Sequence, residues 1–196
     1  MLTLEEGVRA VKLARSAVDK YVRDGEILCP EKLPKKFSEK RGVFVTLKKN
    51  GLRGCIGHPY PIVPLGEAII DSAISSAAKD PRFMPLRAEE LDKMTIEVTV
   101  LTPPRPIRAK PTMLPKKIEI GKHGLIITRG RNQGLLLPQV GVEHGMDEEE
   151  FLSQTCMKAG LYPDAWLEEG TQIHVFEGQI FVEKTPRGDV EERRIT

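Results

Sequence analysis

The chain has 196 residues, 40% apolar and 30% charged, with a formal net charge of +2. That length supports one well-packed domain or two small units, and the charge is too small to imply a polyanionic partner. No apolar run approaches the roughly 18 residues of a membrane span, no secretory signal opens the chain, and three cysteines make no disulfide framework, so a cytoplasmic protein with reduced thiols is expected.

Thr3 and Glu6 form a capping box ahead of a helix in which Leu4, Val8, Val11, Val18, Tyr21 and Val22 recur at helical spacing, and Gly25 ends it. Residues 29–42 read as a polar, proline-bearing loop. Two alternating runs then flank Asn50-Gly51, a strong hairpin signal. A helix is expected from about Pro64 to Lys79, with Ile69, Ile70, Ala73, Ile74 and Ala77 inward and Asp80-Pro81 at its end. Residues 95–102 alternate as a strand, and the proline-rich 103–111 reads as a stiff linker. Short strands are expected near Ile118–Ile120, Leu125–Thr128 and Leu135–Leu137. Asp147 and Glu150 box a further helix, with Phe151, Leu152, Thr155, Cys156 and Ala159 inward. Trp166 reads as a core anchor. A last strand or hairpin runs from Ile173 to Val182, broken at Gly178, and 185–196 reads as a flexible charged tail. Helices and hairpins without a βαβ rhythm give an α+β class, an antiparallel sheet with flanking helices.

With Asn50-Gly51 as a two-residue turn, Lys49 pairs with Leu52, Leu47 with Gly54, Thr46 with Cys55 and Val45 with Ile56. Val43, Val45, Leu47, Leu52 and Ile56 then share the core face. Phe44, Thr46, Lys48, Arg53, Cys55 and Gly57 share the opposite one. Arg53 and Lys48 neighbour the thiol and favour its thiolate, whereas burial under a second layer would oppose them. Glycines in a strand mark close approach by another backbone or a ligand, and Gly57 leaves the cysteine's face open. The helix after Pro64 lacks a side-chain cap, so its free amides near Cys55 form a candidate anion site, with Glu67 competing for them. In the plainer reading Cys55 is a half-buried packing residue and the glycines only permit tight layering.

Leu52-Arg53-Gly54-Cys55-Ile56-Gly57 resembles the signature of the AMMECR-type domain family, named for the AMME syndrome chromosomal region gene. Asp80-Pro81-Arg82-Phe83, Gly121-Lys122-His123-Gly124 and Leu137-Pro138-Gln139-Val140 resemble three further motifs, and the likeness spans nearly all of residues 5–184. Met146 stands where the family often has Trp. The resemblance implies one domain over 1–184, with a larger lobe (roughly 1–105 plus 165–184) and a smaller one (roughly 106–164) enclosing a cleft lined by the hexapeptide. It implies no established reaction, and hints at a pathway shared with Memo-type and radical-SAM proteins.

Two functional readings follow. In a cysteine-dependent enzyme, Cys55 is nucleophile or acid/base, His123 its proton partner, and Arg53 and Arg82 hold a small anionic substrate, with Asp80 orienting a neighbour. In a binding module, the cleft takes a small molecule, peptide or partner protein, with Arg53, Gly54, Gly57, Asp80, Arg82, Phe83 and Gln139 as contacts. Six residues far apart in sequence, Arg53, Cys55, Asp80, Arg82, His123 and Gln139, are expected to converge. Cys55 and His58 have C-x-x-H spacing but no second pair to complete a metal site, and no cofactor is implied. The basic run of Lys35, Lys36, Lys40, Arg41, Lys48 and Lys49 is interrupted by Glu31 and Glu39, and aromatics are 5%, so nucleic-acid binding ranks third.

Overall fold

A computed structural model describes residues 1–30 and 32–193. In chain order the elements are α1 (Leu4–Asp24), β1 (Val43–Lys48), β2 (Leu52–His58), α2 (Leu65–Ala78), β3 (Thr95–Leu101), β4 (Arg105–Pro106), β5 (His123–Arg129), β6 (Asn132–Leu136), α3 (Pro138–Glu143), α4 (Glu148–Lys158), β7 (Gln172–Glu183) and β8 (Val190–Arg193). The strands form an antiparallel sheet in the order β2-β1-β3-β7-β5-β6, with β4 and β8 also pairing with β7. The class is α+β, as the pattern predicts. No helix among the described residues is long and apolar enough to cross a membrane.

The chain divides after Leu101 and after Gly178 into two compact units. Residues 165–178 fall in the second of these units, with 102–164.

The first unit forms because an amphipathic helix, α1, and a nearly fully buried one, α2, pack on a short sheet. Thr3 and Glu6 exchange hydrogen bonds of 3.2 and 2.8 Å with each other's backbone N–H groups, and Gly25 ends α1 with a φ of 73° that an L side chain resists. Val43, Val45 and Leu47 of β1 and Ile96, Val98 and Val100 of β3 are buried with Ala10, Val11, Ala14 and Val18 of α1 and Ile69, Ala73 and Ile74 of α2. Each large aliphatic side chain so buried contributes about 1.5–3 kcal/mol. One ion pair is sealed among them. Arg15 donates to both carboxylate oxygens of Glu183, to Leu91 O at 3.1 Å and to Met94 O at 2.9 Å, while Glu183 also accepts the Ile96 N–H at 3.0 Å.

The expected charged tail is a correction up to residue 193. Val190–Arg193 pairs with Ile180–Glu183, and Arg187 reaches Asp19 at 2.7 Å and Asp92 at 2.5 Å. A strand with one apolar residue, Val190, carries no alternation to read. The tail's last three residues, and Glu31, lie outside the described residues.

The second unit packs α4 on the β5–β6 hairpin around Leu125, Ile127, Leu136, Phe151, Leu152, Cys156, Ile173 and Val175. Trp166 joins this core, as expected, with its indole N–H 3.3 Å from Ser153 Oγ. Burial raises the Cys156 thiol to about 11. Four details depart from the sequence reading. Ile118–Ile120 is not a strand but leads into a turn at Gly121, closed by His123 N–H donating to Glu119 O at 2.9 Å. The proline-rich linker pairs with β7 through Arg105 and Pro106. β7 runs unbroken through Gly178. The one-turn α3 follows Leu137 unforeseen, being too short for a periodicity to emerge.

Candidate functional site

The β1–β2 hairpin holds the hexapeptide in the expected register from Leu47↔Gly54 through Val45↔Ile56, but slips by one residue at its tip. Lys48, not Lys49, faces Leu52, so the turn has three residues, with Asn50 at φ 53° and Gly51 at φ 129°. A β-bulge adds one residue to one strand and twists the ladder. As a consequence Leu52 leaves the core face and is exposed, which corrects its assignment there.

Cys55 occupies the face predicted for it. Pairing across three strands sets Cys55, Thr46 and Glu97 in one row. The Thr46 hydroxyl donates to Cys55 Sγ at 3.2 Å. Glu97, buried, accepts from Lys48 at 2.9 Å and from Arg193 at 2.6 Å.

β2 is an edge strand, and the turn after α2 closes that edge. The Cys55 N–H donates to Asp80 Oδ2 at 2.8 Å, and Arg82 Nη2 donates to Cys55 O at 3.2 Å. Arg82 also donates to both Asp80 oxygens, at 3.0 and 2.8 Å. Asp80-Pro81-Arg82-Phe83 thus stands in for a further strand beside Cys55. The Arg82 hydrogen bonds, ahead of the opposing burial, hold the Asp80 carboxyl well below the usual carboxylate range. Both the Arg53 and Arg82 guanidinium groups lie over the Phe83 ring, at 5.9 and 5.5 Å from its centre.

Both glycines are explained by close approach of backbone, joined at Gly57 by a ring. A Cβ at Gly54 would lie 2.1 Å from Ser76 O of α2. At this contact the Ser76 hydroxyl enters the ladder, accepting the Ile56 N–H at 2.8 Å and donating to Val45 O at 2.7 Å. Gly57 does not leave an open face: Val43 O lies 2.3 Å and the Phe44 ring 2.5 Å from where its Cβ would be.

Of the two opposing influences on the thiol, burial is the larger, and both neighbouring cations are already paired. Arg53 is engaged by both oxygens of Glu90, at 3.1 and 3.0 Å, and Lys48 by Glu97. Burial pushes the Cys55 thiol up; the Thr46 hydroxyl and Arg82 oppose this, while Glu97 and Asp80 add to it. The bare α2 N-terminus is also partly used, since Leu65 N–H donates to Glu39 O at 2.9 Å.

Of the six residues expected to converge, Arg53, Cys55, Asp80 and Arg82 do so in the first unit. His123 and Gln139 belong to the second. There His123 Nδ1 accepts the Glu119 N–H at 3.1 Å, and burial lowers its basicity. Gln139 has a buried Oε1 without a partner. His58, the first unit's one imidazole, pairs with Asp71 at 2.7 Å. The described residues hold no group of three or more His, Cys, Asp or Glu arranged for a metal. Sequence reading missed Ser76, Glu90 and Glu97. A register for β3 against β1 would have found Glu97, whereas nothing local marks Glu90 as the partner of Arg53.

These pairs fix an acid dependence. The Arg53 hydrogen bonds lower Glu90 from 4.5 to about 2, and Asp80 is lowered from 3.8. A depressed carboxylate contributes its stability fully above its unfolded value and loses it as pH falls toward the folded one. Chemical denaturation should therefore show constant contributions from both above about pH 5 and a decline from there to about pH 2. In Glu90→Gln that decline should be shallower.

The sequence model of the AMMECR1 family matches residues 11–181. The chain is 56% identical over 199 residues to a protein of Methanosarcina acetivorans, covering 99% of this chain and 100% of that one. It is 53% identical over 193 residues to a protein of Thermococcus kodakarensis, covering 95% and 94%. A crystal structure of an uncharacterized protein from Pyrococcus horikoshii matches with a TM-score of 0.92 at 48% identity, covering 98% of each chain.

Proposed function

The chain belongs to the AMMECR1 family, and we propose that it acts as a binding module for an anionic small molecule or an anionic group on a partner, and not as a cysteine-dependent enzyme. The observation that carries this is the setting of Cys55. Its N–H and C=O are both bound by the Asp80-Arg82 pair, its sulfur accepts a hydroxyl, and its thiol is pushed up by burial. A nucleophilic cysteine needs a lowered pKa or an adjacent base. Here the nearby carboxylates Asp80 and Glu97 are themselves held by cations.

Charge and exposure favour an anion. Arg53, Lys49, Arg82, Lys48 and Arg193 face three carboxylates, Glu90, Asp80 and Glu97, which leaves a surplus of two positive charges. Arg82 is the most exposed of the five, its side chain 53% exposed beside Phe83, whereas Arg53 is 15% exposed. Phe83 offers an apolar surface next to the guanidinium, a combination suited to a planar or partly apolar anion. Cys55 contributes shape.

Native mass spectrometry on protein re-isolated from a cell extract tests the reading. A retained anionic ligand is expected in wild type and in Cys55→Ser, and absent in Phe83→Ala. Loss of that ligand in Cys55→Ser, or recovery of a covalent adduct on Cys55, would contradict it.

A further inference from the structure

The exposed side of α4 carries a second surface, separate from the hexapeptide. Asp147, Glu150, Gln154 and Met157 fall three or four residues apart and so form one stripe, opposite the buried Phe151, Leu152, Thr155 and Cys156. Facing the stripe are Val140 and His144, from α3 and its end, and Met146. Two hollows of about 530 and 500 Å³ share His144, Met146, Gln154 and Met157, so they join into one groove along the helix. Its length, about 16 Å for eleven helical residues, matches three turns of a partner helix.

The groove is graded. Asp147, Glu149 and Glu150 line one end; Asp147 and Glu150 also accept backbone N–H groups in the α4 capping box, and no cation among the described residues pairs with any of the three. The middle carries Met146 and Met157 beside His144 and Gln154, over the buried Leu136, and Lys158 stands at the far end; Met157 is 51% exposed. Unbranched methionines reshape around different apolar side chains. We propose that this groove docks a basic amphipathic helix of a partner protein, its apolar residues on the methionines and its Lys or Arg residues against Asp147, Glu149 and Glu150. Unpaired carboxylates at one end beside an exposed methionine complement such a helix, laid in the groove.

Selection from a random 16-residue displayed-peptide library against the intact chain is the test. Enriched peptides should be net basic, with apolar residues at i, i+3 or i+4 and i+7. Met157→Lys and Glu149→Lys, both at exposed positions, should each reduce their binding at least tenfold while leaving the thermal melt of the protein unchanged. Failure of any peptide to enrich, enrichment of acidic or proline-rich extended peptides, or binding untouched by both substitutions would each overturn the proposal.

Discussion

Gly54→Ala should destabilise the first unit by about 3 kcal/mol or more, a lowering of the melting temperature of roughly 6–12 °C for a chain of this size. The added Cβ would sit 2.1 Å from the Ser76 carbonyl oxygen and 3.1 Å from its carbon, both backbone atoms of a packed helix that has no rotamer to offer. Either α2 withdraws from β2, or the strand does. In both cases the hydroxyl bridge from Ile56 through Ser76 to Val45 is pulled open. Gly51→Ala is the contrast: the φ of 129° strains an alanine, but nothing lies within 4 Å of the new carbon. It should lose about 1 kcal/mol, and denaturant titration of the two variants separates collision from backbone strain.

The second large effect belongs to the sealed ion pair. Arg15→Met should cost about 3–5 kcal/mol, because it leaves the Glu183 carboxylate buried with only the Ile96 N–H and strips Leu91 O and Met94 O of their donor. Pairing it with Glu183→Leu should restore a substantial part, since two apolar side chains of similar volume bury no unpaired charge. A double-mutant cycle reads the difference. If Arg15→Met alone is as stable as wild type, the pair does not hold α1 to the strand end as described.

Local signals carried much of the fold. The capping boxes at Thr3 and Asp147 and the Asn-Gly turn each work within a few residues, and each appears where the sequence places it. The register that puts Cys55 opposite Thr46 was legible because alternation fixes which side chains share a face. The bulge was not, since the pattern is equally consistent with a two- or three-residue turn; that slip moved Leu52 out of the core. Strand β8 was hidden by composition, its pairing resting on backbone hydrogen bonds and on Arg187 bridging to Asp19 and Asp92, far away in sequence.

The candidate site shows the same limit more sharply. Arg53 and Lys48 read as free cations beside a thiol, because their neighbours in sequence offer no obvious carboxylate. Glu90 and Glu97 arrive from 37 and 49 residues along the chain, respectively, and pair with them. Asp80 and Arg82 were expected near Cys55, yet as ligand contacts; in the folded chain they first serve the strand edge. Charge near a cysteine predicts reactivity only once every long-range partner of that charge is known.

Alkylation of Cys55 by iodoacetamide as a function of pH, followed by peptide mass spectrometry, tests the central claim most directly. At pH 7 the rate should fall below that of a cysteine in an unstructured peptide, and it should still be rising with pH where the peptide's rate has levelled off, because burial pushes the thiol up. A plateau already reached near pH 6 or 7 would mean a thiolate in the resting protein, and the nucleophile set aside in favour of a binding surface would have to be restored.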